Sequence, residues 1–216
     1  MNGIFPRLAA ALLFSTAALS SASESNQFDA TCAELRYQLT AIEHQPGDKV
    51  AAFGKMIEQA DALVQAHPDR PEPWLWKGVA VASQAKHSGL KGLARAKEAR
   101  QLLEKSIALD PQNTGGAAYL ALGTLYFKVP RWPLSFRDDT QAEALFKKAA
   151  TLADHLDTHY RYGEFLLARK RYAAARKELQ TALTYPARPG FPEDTLKKED
   201  IRNFLARLDK AENAQR

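Results

Sequence analysis

An all-α fold of stacked helical pairs is predicted by three observations. Large and small residues recur in one fixed pattern along most of the 216-residue chain. A proline follows the second helix of several units, as Pro68, Pro111 and Pro186 do. No segment shows the period-2 alternation of a half-buried strand.

The pattern is clearest at residues 116–154. A first helix carries Tyr119, Leu122, Gly123 and Tyr126, and a second carries Ala142, Phe146 and Ala149. The unit before it, about 71–111, reads Trp74, Gly78 and Val81, then Ala99, Leu103 and Ser106. The unit after it, about 156–187, reads His159, Tyr162, Gly163 and Leu166, then Ala175, Leu179 and Ala182. Small residues let paired helices approach and large ones fill the groove against the next pair, which is the arrangement of tetratricopeptide (TPR) repeats. One pair cannot bury its apolar face alone, so the pairs must stack. A short right-handed superhelix or a compact crescent is the expected result.

Each end of the array has its own element. Upstream, Ala60, Leu63 and Val64 read as the second helix of a degenerate pair spanning about 29–68, with residues 31–42 as its first helix. Downstream, residues 197–211 place Ile201, Phe204, Leu205 and Leu208 on one face, a capping helix with a polar outer side. Residues 1–22 read as a signal peptide: one charge at Arg7, an apolar run over 8–19 and small residues around a cut after Ala22. That run is shorter than the roughly 20 apolar residues of a membrane span, and no second such run follows. The expected compartment is the periplasm. No cysteine stands at the cut, so a lipid anchor is not expected, and Cys32, the one cysteine, cannot form an internal disulfide.

Charge and motifs narrow the function. The chain carries 30 basic and 25 acidic residues, net +5. Removing residues 1–22 takes only Arg7 and leaves +4, a mild balance spread along many helices that does not argue for nucleic acid. There is no phosphate-binding glycine loop, no Gly-x-Ser-x-Gly and no His-Glu-x-x-His, so neither an enzyme nor a cofactor is expected. His155 and His159 are four apart beside Asp154 and Asp157, but the repeat frame puts residues 154–158 in a turn, and no metal is expected there. Trp74 and Trp76 read as packing residues, and Lys91, Arg95, Lys97 and Arg100 as a solvated face.

Two insertions break the period, since Gly78, Gly123 and Gly163 are 45 and 40 residues apart instead of 34. The first lies at about 83–93, the second at 128–139. In the second, Pro130 and Pro133 prevent helix while Trp132 and Phe136 bring large rings. Two readings stay open for these rings: a plug folded back on the adjacent groove, or an anchor for a partner in a stiff loop. Asp138 or Asp139 is expected to cap the next helix. A proline-bearing stretch at 185–194, containing Phe191, reads as a stiff linker before the cap.

Residues 89–111, 123–139 (GTLYFKVPRWPLSFRDD), 160–172 (YRYGEFLLARKRY) and 188–205 resemble a group of exported repeat proteins related to the T component (TatT) of TRAP-associated transporters. The Val129-Pro130-Arg131-Trp132-Pro133 loop with Ser135, Phe136 and Asp138 carries the more specific part of the likeness. Glycine is commoner in that group where Arg131 and Arg137 stand. The resemblance implies a periplasmic protein associated with the solute-binding subunit of a TRAP transporter, as a trimer with small-ligand channels. The leading expectation is a non-enzymatic module that binds a protein partner through its concave face and the Trp132 loop. The alternative is a transporter accessory that docks a solute-binding protein or takes an organic acid. Arg131, Trp132, Phe136, Arg137, Tyr126 and Tyr162 are the candidate contact residues, and a homo-oligomer remains open.

Overall fold

The computed structural model describes residues 9–112, 114–131, 133–191 and 193–213, with side chains between 23 and 210. Four helical pairs follow one another: α1 (Ala9–His44) with α2 (Lys49–Ala66), α3 (Pro71–His87) with α4 (Gly92–Leu109), α5 (Ala117–Lys128) with α6 (Asp139–Leu152), and α7 (Leu156–Ala168) with α8 (Tyr172–Thr184). A last helix, α9 (Glu193–Asn213), closes the array. No strand occurs among the described residues.

Local chemistry sets the helix ends. Asp48 caps α2 by accepting from the Ala51 N–H at 3.0 Å. Pro71 opens α3, where its missing N–H costs nothing. Lys49 donates to the carbonyls of Ile42, Glu43 and Gln45 at the α1 C-terminus, where a cation is favoured. Asp138 accepts from the N–H groups of Thr140 and Gln141 at 2.9 and 3.0 Å, so Asp138, and not Asp139, caps α6.

The repeat positions occupy the pair interfaces. Ala99, Ala142, Phe146, Ala175 and Ala182 are fully buried. Gly78 faces Leu103, Gly123 faces Leu145 and Phe146, and Gly163 faces Leu179, each too close for a side chain to fit without displacement or tight contact. Trp74 and Tyr119 are half-buried against the core of the middle pairs, and the Trp74 indole donates to the Pro68 carbonyl at 2.9 Å. In the first pair, Phe28, Leu35, Phe53, Met56, Ala60 and Leu63 form the core. Each first helix packs against the next first helix (α1 on α3, α3 on α5, α5 on α7, α7 on α9), while the second helices make no comparable row. The first-helix row is therefore the concave side.

Three boundaries differ from the sequence reading. The first insertion is absorbed into longer helices, so only Ser88 and the 3-10 turn Gly89–Lys91 interrupt α3 and α4. Gly92 makes that short connection possible, because a Cβ there would lie 2.1 Å from the Ala85 carbonyl oxygen. Helix α1 begins at Ala9 and runs through position 22, well before residue 31. Helix α9 starts at Glu193, four residues before the expected cap, because Asp194 is fully buried and held by Arg188. Asp194 accepts from the Arg188 backbone N–H, Nε and Nη2 at 3.0, 2.8 and 2.7 Å, and Arg188 Nη2 also reaches Asp157 of α7 at 2.7 Å. This network seats α9 on α7. No described helix is long and apolar enough to cross a membrane.

The ends of the stack also meet. Arg36 of α1 donates to the Gly190 carbonyl at 3.3 Å and lies 3.5 Å above the Phe191 ring. Arg188 lies 4.0 Å from the same ring. Phe191, read from sequence as part of a linker, is clamped between two guanidinium groups.

Candidate functional site

The loop at 129–138 leaves α5 and returns into α6. Val129 is buried at its root. Within the loop, the N–H groups of Leu134 and Ser135 donate to the Arg131 carbonyl, and that of Arg137 to the Pro130 carbonyl. With prolines at 130 and 133, these bonds tie residues 130–131 to residues 134–137. Phe136 folds back: its ring meets Tyr126 edge-on at 5.4 Å, packs against the core of the middle pairs and lies under Arg100 at 4.8 Å. The plug reading thus describes Phe136, and Tyr126 is its seat. Trp132 lies outside the described residues. Leu134, at the loop tip, is 61% exposed.

The two loop arginines turn the other way, onto Asp139. Arg131 Nη2 lies 3.1 Å from one Asp139 oxygen, and Arg137 Nε 3.0 Å from the other. A third guanidinium arrives from α7, with Arg169 Nη1 at 2.9 Å. One turn along α6, Glu143 receives Arg171 Nη1 at 2.8 Å, Lys147 at 2.9 Å and the Tyr162 hydroxyl at 2.9 Å. Hydrogen bonding from Arg171 holds the Glu143 carboxyl down to about 2, while burial and the carboxylate beside it push Tyr162 up to about 12. Asp139 and Glu143 are four residues apart on one face of α6, so both open into one cleft of about 500 Å³, with the buried Phe165 ring beneath it.

Of the residues proposed from sequence, the structure brings Arg131, Arg137 and Tyr162 together at this cleft, around acids that the sequence reading did not connect with them. Glu143, Lys147, Arg169 and Arg171 were not singled out, and Asp139 was read only as a candidate helix cap. The i,i+4 acidic pair on α6 was the available signal. The cleft lies on the second-helix side, between α6 and the α7–α8 corner, and not on the concave row. On the concave row a smaller cleft of about 380 Å³ lies between α5, α7 and α9, lined by Phe127, Lys128, Glu164, Leu167 and Phe204 among others. Lys128 pairs with Glu164 there at 2.5 Å.

The remaining candidates have structural settings. His155 precedes α7, with Nδ1 3.2 Å from Thr158 Oγ1. The ring nitrogens of His159 lie 2.6 Å from Glu178 and 2.6 Å from Asp154. No group of three or more candidate metal ligands occurs among the described residues. Cys32 is half-buried against the first core, and burial pushes its thiol up to about 11, away from the reactive thiolate.

No protein-family model and no curated protein sequence matches this chain. Among solved structures, a thermophilic TPR protein of Thermus thermophilus, TTC0263, is similar with a TM-score of 0.58 and 17% identity, over 87% of this chain and 95% of that one. The likeness is one of fold: this chain is a TPR-like helical solenoid of three regular pairs, a degenerate first pair and a capping helix.

Proposed function

We propose that this chain is a non-enzymatic, exported interaction module of the periplasm that holds a protein partner at the 129–138 loop and the neighbouring cleft. The observation that carries the reading is Leu134: a large apolar side chain, mostly exposed, whose backbone N–H is held by the Arg131 carbonyl across the loop. A pre-ordered apolar anchor loses little entropy on binding, which is how a few residues come to dominate an interface. The apolar run and small-residue cut at the N-terminus support export. The resemblance of residues 123–139 to the transporter T component supports a narrower version, in which the partner is a solute-binding protein of a TRAP transporter.

The test is photo-crosslinking in cells. A photoreactive residue replaces Leu134, and a control site is placed at partly exposed Lys198 on α9. Capture of one defined protein from position 134 and not from 198 is the expected result, and its identity separates a solute-binding protein from other partners. The same bands from both sites, or none from either, would overturn the reading. Fractionation and the mass of the mature chain check export, with cleavage after Ala22 expected.

A further inference from the structure

The cleft beside the loop has more positive than negative charge. Arg131, Arg137, Arg169, Arg171 and Lys147 converge on two carboxylates, Asp139 and Glu143. Asp138, next to Asp139 in sequence, is turned onto the α6 backbone N–H groups. The cations are also reachable: the side chains of Arg131, Lys147 and Arg171 are 65%, 63% and 47% exposed, although each already touches an acid. A guanidinium has five N–H donors in a planar fork, and Arg131 and Arg169 each reach Asp139 through a single nitrogen. The acids thus hold the arginines in place without using all of their donors.

Openness selects the class of ligand. A small molecule is held by burying most of its surface, and a shallow basin rimmed by exposed cations does not do that. An extended chain can lay successive carboxylates along such a rim while an apolar side chain of its own meets exposed Leu134. We propose that the cleft docks an acidic, extended segment of the protein partner, its carboxylates taken by the spare donors of Arg131, Arg169, Arg171 and Lys147. This rests on the partner-binding reading above and adds the chemistry of what is bound.

Fluorescence anisotropy with a fluorescein-labelled decaglutamate peptide and the full chain tests the inference. Binding is expected to weaken with salt, and decaglutamine should not bind. Each rim cation contributes modestly, so Arg171→Gln or Lys147→Gln should raise Kd about 3-fold, and the pair Arg169→Gln/Arg171→Gln about 10-fold. Arg95→Gln and Arg202→Gln remove equal charge from exposed positions elsewhere and should leave Kd unchanged. Matching thermal melts confirm that all variants are folded. Equal weakening by the two control variants, or unaltered binding in the Arg169→Gln/Arg171→Gln protein, overturns the inference. So does displacement of the peptide by millimolar inorganic phosphate or by phosphatidylglycerol vesicles, but not by matched phosphatidylcholine vesicles, because the site would then read phosphate. None of these results touches the Leu134 crosslink, so the cleft can fail while the partner-binding reading stands, and the reverse.

Discussion

Replacing Asp194 by asparagine should loosen the seat of α9 on α7. The carboxylate is fully buried, receives three hydrogen bonds from Arg188 and has Lys197 at 3.8 Å. Breaking a buried ion pair costs roughly 3–5 kcal/mol. Here the loss is smaller, because Arg188 is partly exposed, keeps Asp157 as a partner, and asparagine still accepts from the backbone N–H. About 2 kcal/mol is expected. With a urea slope of about 2 kcal/mol/M, the unfolding midpoint at pH 7 should fall by about 1 M. The pH dependence supplies a second constraint. Burial pushes the Asp194 carboxyl up, but hydrogen bonding and charge from Arg188 outweigh it and hold the group below the usual aspartate range. A carboxyl lowered in the folded state contributes stability that is complete above about pH 4 and is lost as pH falls through the folded value. The gap between Asp194→Asn and the parent should therefore be widest near neutrality and narrow below pH 4. Coincident midpoints at pH 7, or a gap that persists unchanged to pH 2.5, would refute the account of this network.

Two further predictions concern other elements. Gly92→Ala sets a Cβ against the Ala85 carbonyl, an immovable backbone atom, and should destabilise by about 2 kcal/mol or more, whereas Gly54→Ala, whose Cβ meets only Gln84 at 3.5 Å, should stabilise by about 0.5–1 kcal/mol through helix propensity; urea titration reads both signs. Cys32, its thiol pushed up to about 11, should react with a thiol-specific disulfide reagent at pH 8 at least 10-fold more slowly in the folded chain than in 6 M guanidinium, and equal rates would contradict its burial.

The pairs were legible because their constraint is local and periodic. Gly123 and Ala142 are required by the contact of adjacent helices, and the same small residues recur at the matching helix positions Gly163 and Ala175. The 129–138 loop was equally visible, since Pro130 and Pro133 state their own backbone geometry. The first insertion was misread because glycine at 89 and 92 suggests a loop, while Gly92 instead serves a close helix approach that only the packing reveals. The cleft was invisible for a different reason. Arg131, Asp139 and Arg169 come from three segments, and no periodicity states which surface charges the stacking will bring together. The buried Asp194 is a similar case, an acidic residue whose place in the core follows from Arg188 and Asp157 and not from any hydropathy pattern.

A linear array of repeats behaves as a chain of nearest neighbours, free to fray from either tip without consulting the other. The clamp of Phe191 between Arg36 and Arg188 adds a contact across 154 positions, from Arg36 to Gly190, that such a chain lacks. Detaching the first helix removes a hold on the segment leading into α9, and detaching α9 removes a hold on α1. Loss of order at one tip is thereby felt at the other, so melting should become more nearly all-or-none than the repeat architecture alone would give. The clamp also raises the mean sequence separation of contacts, which slows the final step of folding relative to an open stack of the same length.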